Sequence, residues 1–222
     1  MEVKRIQEEY EQKMKNENEQ YQQDFEESTK KFNDDWKRIE SLIHVDKKQP
    51  YDLKEIVQLQ SWTQKQVAEI VYDTDKDGYP QNRSTIFGEK IMNRNDLLFI
   101  IEDNDGNKFG EYLHAKVTGW NKWVNDDKAF IFSLKSNGRL DGIKKFEIKN
   151  SQNVFKLWND CYSNLFYIGN VDIGIYKSDQ KSSSYTNSTS SFDYHGLSNP
   201  LRGTSATFTP KKIVVIQLTD NK

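Results

Sequence analysis

Cysteine, proline and long apolar runs are all scarce in this sequence. Cys161 is the only cysteine, which excludes an intramolecular disulfide framework and fits a reducing compartment. No apolar run approaches the ~20 residues of a membrane span, and the N-terminus lacks the apolar segment of a signal peptide. We therefore expect a cytoplasmic protein.

Motifs that carry chemistry are also missing. His44, His114 and His195 lie in three separate segments without the spacing of metal ligands. Cys161 has no neighbouring histidine or basic residue in sequence that would activate its thiol, and there is no glycine-rich phosphate loop. Lysine and arginine are not clustered as nucleic acid binding requires. The residues therefore predict no catalytic, cofactor-binding or metal site.

Glycine and proline are absent between Val3 and Ile43, where Glu, Gln, Lys and Arg dominate, and this predicts a long helix. Residues 1–43 hold 8 Lys/Arg and 12 Asp/Glu, a net charge of −4 that leaves +2 for residues 44–222. Apolar residues recur in alternating steps of seven and four: Val3, Tyr10, Met14, Tyr21, Phe25, Phe32, Trp36 and Ile43. This eleven-residue repeat predicts a coiled-coil-like amphipathic helix over residues 1–45.

Three roles remain open for this helix. It self-associates or packs back on the rest of the chain, it docks to a partner protein, or it lies on a membrane surface. The net negative charge disfavours the third role, because anionic lipids would repel the segment. Residues 46–52, which are charged and contain Pro50, read as a linker to a domain over residues 53–222.

A β-hairpin lies at the centre of that domain. Leu97–Ile101 is an apolar run, and Asp103–Asn107 supplies a turn of residues that tolerate positive φ. In the return strand, Phe109 to Val117 alternates with period two, which places Glu111 among the apolar residues and His114 on the polar face. The alternation predicts a half-buried antiparallel strand.

Further short strands follow, and the last, Ile213–Leu218, is apolar on both faces, so we expect it at the centre of a sheet. The predicted fold class is mainly β (α+β), a two-sheet antiparallel β-sandwich with a few flanking helices, preceded by one long N-terminal helix.

Residues 182–191 are rich in Ser and Thr and predict a mobile surface loop. Trp120 and Trp123 flank a loop; we expect at least one to plug the core, and an exposed contact site is the alternative.

The stretch from Asp73 to Gly78 resembles the start of an EF-hand calcium loop, with acids at Asp73, Asp75 and Asp77. An EF-hand loop that starts at Asp73 has its twelfth residue at Ser84, where an acidic ligand is required. Pro80 occupies the eighth position, which normally forms a β contact. We therefore favour a solvated acidic turn over a calcium site.

The order of these segments resembles the TLDc domain. Asp103 to Tyr112 matches the hairpin D-x-x-G-x-x-F-G-x-Y, which is the most specific part. The supporting stretches are Glu69–Gly78, Phe130–Leu134, Phe166–Gly169 with Ile173–Tyr176, and Phe208 with Ile213–Leu218. The family's Cys-Thr-Phe-type segment is replaced here by the Ser/Thr-rich loop.

The resemblance implies a β-sandwich and a non-catalytic protein-interaction module. It further implies links to oxidative-stress protection and to regulation of the vacuolar proton ATPase, whose subunits are the expected protein partners, and it supplies no active-site or cofactor residues. The alternatives are a stress-defence enzyme that consumes peroxide through Cys161 and a calcium-dependent adaptor that uses Asp73, Asp75 and Asp77. Homo-oligomers through the N-terminal helix are a further expectation.

Overall fold

The structure is a computed structural model in which the chain forms two compact units, Met1–Gln49 and Pro50–Lys222. It describes residues 53–81, 86–187, 191–203 and 206–220, together with residues 7, 12–16, 18–24, 26–27, 29–31 and 34 of the first unit.

The described residues between 12 and 31 form the N-terminal helix, α1, as the sequence predicts. Its surface is polar and solvent-exposed, with i,i+4 hydrogen bonds from Gln12 to Asn16 and from Gln20 to Asp24. Of the predicted apolar stripe, Met14 and Tyr21 are described, and both are exposed. Val3, Tyr10, Phe25, Phe32, Trp36 and Ile43 lie outside the described residues.

The second unit contains three α-helices, one 3₁₀ helix and twelve strands within the described residues. The helices are α2 (Leu53–Thr63), α3 (Thr74–Asp77), α4 (Ile86–Ile91) and the 3₁₀ helix Ser178–Ser183. The first six strands are β1 (Lys65–Asp73), β2 (Leu97–Asp103), β3 (Lys108–Leu113), β4 (Trp123–Val124), β5 (Phe130–Lys135) and β6 (Lys144–Glu147). The others are β7 (Phe155–Leu157), β8 (Asn164–Ile168), β9 (Ile173–Tyr176), β10 (Ser184–Thr186), β11 (Thr207–Phe208) and β12 (Pro210–Asp220).

These strands form two antiparallel six-stranded sheets. Sheet A has the order β1-β12-β2-β3-β5-β6, and sheet B has the order β11-β10-β9-β8-β7-β4. The mainly β, two-sheet fold predicted from the sequence is confirmed. The strand apolar on both faces, β12, lies between β1 and β2, which confirms its predicted central place.

The predicted hairpin is β2–β3, with Ile100 opposite Gly110 and the turn closed through Gly106 at φ +81°. Gly110 allows the two strands to approach, because a Cβ there would lie 1.7 Å from the backbone oxygen of Phe99. The main core lies between the sheets and includes Phe99, Phe109, Ile131, Phe155, Phe166 and Ile175.

The opposite face of the hairpin is not a free polar surface. Tyr112 is only 4% exposed, and its ring packs on Phe130, against which Trp62 of α2 packs edge-on. At the other end of α2, Glu55 forms an ion pair with Lys108 at 2.8 Å. Helix α2 therefore covers the outer face of sheet A and turns an alternating strand into one buried on both sides.

Two sequence expectations need correction. The return strand ends at Leu113 and not at Val117, because the backbone turns away to pair Val117 with Arg94. Part of the predicted mobile loop, Ser184–Thr186, is strand β10, which pairs with β9 and β11 and buries Ser184 and Thr186. Residues 188–190 lie outside the described part of the chain.

Candidate interaction surface

A row of side chains crosses the outer face of sheet B. Strand register places Trp123 opposite Lys156, Lys156 opposite Tyr167, Tyr167 opposite Gly174, and Gly174 opposite Tyr185. The neighbouring residues in these strands point the other way into the core, as alternation along a strand requires. We call these five residues the aromatic row.

Cation–π contacts hold one end of the aromatic row. The Lys156 ammonium lies 5.3 Å from the ring centre of Trp123 and 3.8 Å from that of Trp158. Each contact of this kind contributes about 0.5–2 kcal/mol. Trp158 in turn packs on Tyr167 and on Tyr162, whose ring centres are 5.4 and 4.5 Å away, so the aromatic surface continues beyond the sheet edge.

Tyrosine rings form the other end. Tyr185 lies 6.2 Å from Tyr167 and 6.4 Å from Tyr176, measured between ring centres. Gly174 makes this arrangement possible, because a Cβ there would lie 2.4 Å from Cε1 of Tyr185. Asn164 donates a hydrogen bond of 2.9 Å to the Tyr167 hydroxyl. Burial raises the pKa of Tyr185, which keeps its hydroxyl a neutral donor.

The arrangement suits recognition of another surface. Trp123, Lys156, Trp158, Tyr167, Tyr176 and Tyr185 are each half-buried, and Tyr162 is 46% exposed. Rings fixed by their neighbours lose little conformational entropy on binding, and Trp and Tyr dominate the energetic centres of protein interfaces. The sequence offered Trp123 as a contact residue. Trp120, by contrast, packs with its ring against Gly88 at the core, so one of the two tryptophans plugs the core as expected.

The acidic turn at Asp73–Asp77 is built into the fold by lysines. Asp73 caps α3 by accepting from the backbone N–H of Asp75, and Lys212 lies near both carboxylates. Lys90 donates to Asp77 at 2.6 Å, and this hydrogen bond and the Lys90 charge lower the pKa of Asp77 against the opposing effect of burial. The carboxylates of the turn thus have lysine partners.

The other residues singled out from the sequence are dispersed. His114 contacts Asp96 on sheet A, Cys161 is exposed in the loop before β8, and His195 is exposed beside Asp193. His44 lies outside the described residues. Within the part of the chain that is described, no three His, Cys, Asp or Glu side chains are grouped as ligands for a metal ion. No helix there is both long enough and apolar enough to cross a bilayer.

The sequence interpretation also missed buried ionisable residues, among them Lys177 and Glu111. Lys177 is 1% exposed and donates to the carbonyls of Asn159 and Tyr162, so it anchors the loop that carries Cys161. Glu111 is fully buried in the core, and neither carboxyl oxygen has a hydrogen-bond partner among the described residues. The strand pattern placed Glu111 on the apolar face but gave no reason for a carboxyl group there.

Comparison with known protein families identifies a match to this chain. The sequence profile of the TLDc domain matches residues 44–216. That span covers most of the chain and includes both sheets as far as β12. No curated protein is similar enough to this chain to count as a relative.

Proposed function

Because this chain belongs to the TLDc domain family, we propose that it is a non-catalytic protein-interaction module that acts in oxidative-stress protection by regulating the vacuolar proton ATPase. Family membership supports the general link to oxidative-stress resistance. The pump is the partner that the family resemblance implies, and we propose one of its subunits as the direct contact.

The aromatic row is the observation that carries this proposal. Together with the adjoining Trp158, Tyr162 and Tyr176, it presents two indole and four phenol rings, and Lys156 lies between Trp123 and Trp158. Such a surface supplies large apolar contact area together with hydroxyl donors and one cation, the composition of interface centres. The core of sheet B, by contrast, is filled with apolar side chains such as Phe155 and Phe166.

Co-precipitation from cells with an assembled pump tests the proposal. The full chain serves as bait, and recovered ATPase subunits are quantified by mass spectrometry. Trp123→Ala and Tyr185→Ser each remove a ring of the aromatic row while leaving the core residues in place. We expect recovery to fall at least about tenfold for each, since an interface centre contributes about 2 kcal/mol or more.

Leu197→Ala is the matched control, because Leu197 is 45% exposed and is not part of the aromatic row. It should recover ATPase subunits as well as the unaltered chain does. Failure of the unaltered chain to recover any pump subunit would contradict the proposal that the pump is the partner. Full recovery by both Trp123→Ala and Tyr185→Ser would contradict the proposal that the aromatic row is the contact surface.

A further inference from the structure

A cavity of about 240 Å³ lies on the other side of the molecule, on the outer face of sheet A where α2 ends. Three aromatic residues, Trp62, Tyr112 and Phe130, form part of its lining, and the rings of Trp62 and Phe130 pack edge to face with centres 5.9 Å apart. At roughly 30 Å³ for each water, the cavity has room for about eight waters. Its size therefore fits a small molecule.

The remaining lining is basic. Lys65, Lys128, Lys145 and His114 contribute to it, and none of the described lining residues is acidic. Lys65 is already neutralised by Asp220 and Asp96. Lys145 lies 4.4 Å from the ring centre of Phe130 and pairs with Glu147, an exposed side chain.

Lys128 is exposed and lies within ion-pair distance of no carboxylate among the described residues. Lys128 thus offers a ligand an uncompensated charge, and a ligand that replaces exposed Glu147 gains the charge of Lys145 as a second one. A phosphate monoester carries a charge of about −1.5 to −2 at neutral pH, which these two charges match.

The lysines are not required to offset the end of helix α2. The hydroxyl of Thr63 donates to the carbonyl of Leu59 at 2.9 Å, and the backbone and side-chain amides of Gln64 donate to Gln60 and Ser61. The carbonyls of Leu59, Gln60 and Ser61 therefore already have hydrogen-bond donors. These three carbonyls need no lysine of the cavity, which leaves its positive charge for another use.

His114 is oriented towards this use by a buried carboxylate. Its Nδ1 lies 2.7 Å from Oδ1 of Asp96, and the Tyr112 hydroxyl donates to the same oxygen at 2.6 Å. Because an ionised carboxylate only accepts hydrogen bonds, Nδ1 carries a proton, and a second proton on Nε2 lets the ring donate to an anionic ligand. Asp96 also accepts from the side chain of Asn95 at 2.6 Å, so the carboxylate is fixed.

We propose that this cavity binds a small phosphate monoester carried on a flat, apolar ring. The ring lies against half-buried Trp62, and the phosphate oxygens accept hydrogen bonds from Lys128, from Lys145 and from the Nε2–H of doubly protonated His114. Aromatic walls favour a ring through offset or edge-to-face contacts, and charge-assisted hydrogen bonds fix the phosphate. The site is separate from the aromatic row and does not rest on the proposed function.

Calorimetric titration of the full chain with phenyl phosphate tests this site. Inorganic phosphate and phenol are titrated separately as controls, because each corresponds to one half of the probe. We expect saturable binding of phenyl phosphate and at least tenfold weaker affinity for each of the two controls. Lys128→Met and Lys145→Met should each weaken binding about tenfold, the effect of losing one charge-assisted hydrogen bond, and His114→Gln should weaken it as well.

Lys211→Met is the matched control, since Lys211 also pairs with a glutamate, Glu102, but does not line the cavity. It should bind phenyl phosphate like the unaltered chain, and circular dichroism establishes that every variant is folded. Absence of saturable binding at millimolar phenyl phosphate would overturn the proposal. So would equal affinity for inorganic phosphate, or binding unchanged in both Lys128→Met and Lys145→Met.

Discussion

Glu111 is a carboxylic acid inside a core of hydrocarbon. It lies on β3 between Phe109 and Leu113, opposite Phe99 and Ile131, and its pKa is raised well above the ordinary value by burial, with the charges of Asp126 and Asp172 adding to the effect. The side chain therefore remains protonated in the folded protein where it ionises in the unfolded chain.

Stability should consequently fall as pH rises. The folded protein binds one proton more than the unfolded chain between the ordinary carboxyl pKa of 4.5 and the raised value, so the free energy of unfolding decreases by up to about 1.4 kcal/mol per pH unit in that window. The Glu111→Gln side chain cannot ionise, so this contribution to the pH dependence of the free energy of unfolding should be lost. Urea unfolding of both proteins at several pH values measures it.

Glu102→Gln is the control for this prediction, because Glu102 lies on the same hairpin, is half-buried and pairs with Lys211. It should leave the decline of stability with pH in place. Parallel pH profiles for the unaltered chain and Glu111→Gln would show that the carboxyl group does not titrate as proposed.

At the scale of elements, a buried ion pair ties a loop to the central hairpin. Nε of Arg202 donates to Asp103 at 2.5 Å, and the two side chains are 3% and 0% exposed. Asp103 also accepts from the backbone and side chain of Asn107, which closes the hairpin turn. Arg202 additionally donates to Asp105 and to the carbonyl of Thr207 in β11, so one guanidinium connects the turn with sheet B.

Arg202→Ala should destabilise the domain by about 3–5 kcal/mol, because it leaves the carboxylate of Asp103 buried without its cation. Urea unfolding followed by tryptophan fluorescence provides the measurement. Lys211→Ala, which breaks an exposed ion pair, should have a much smaller effect than Arg202→Ala, because solvent screens exposed pairs. Equal effects for the two substitutions would mean that Arg202 does not act as a buried partner.

The sequence allowed the hairpin and the central strand to be predicted, because their signals are local. Turn residues at Asp103–Asn107 and the apolar run at Ile213–Leu218 each mark an element directly. Strand β10 could not be predicted, because its buried residues, Ser184 and Thr186, are polar and give no hydrophobic pattern. The hydrogen bond from the Thr186 hydroxyl to Asn199, 2.8 Å long, illustrates how such a strand is satisfied.

The aromatic row could be predicted only in part. Trp123 was a candidate from its place beside a loop, whereas Tyr167 and Tyr185 carry no local signal. They meet because strand register sets Gly174 between them, and register depends on pairing between distant segments. The cavity beside α2 could not be predicted for a similar reason. It forms because α2 covers the face of β3 that the alternating sequence pattern predicts to be polar and exposed.

At the scale of the whole molecule, the N-terminal helix carries an apolar stripe with an eleven-residue repeat. The stripe residues that the structure describes, Met14 and Tyr21, are exposed to solvent. Tyr21 of this stripe is 74% exposed. An apolar stripe with an eleven-residue period is typical of helices that associate side by side. We therefore expect self-association through residues 1–45.

Light scattering separates the alternatives. The full chain should have a mass above the 26.2 kDa of one copy, and a chain lacking residues 1–45 should be monomeric. Tyr21→Glu should shift the full chain towards the monomer, whereas Gln22→Glu, which alters an exposed residue outside the stripe, should not. A monomeric full chain would leave packing back on the domain or docking to another protein.

The central position of β12 has a consequence for synthesis on the ribosome. Sheet A requires β12 between β1 and β2, but β2 ends at Asp103 and β12 begins only at Pro210. At about 5–20 residues per second, β2 waits about 5–20 s for its neighbour after it has been translated. During that interval the apolar segment Leu97–Ile101 has an unpaired edge, and such an edge is a template for pairing with another chain.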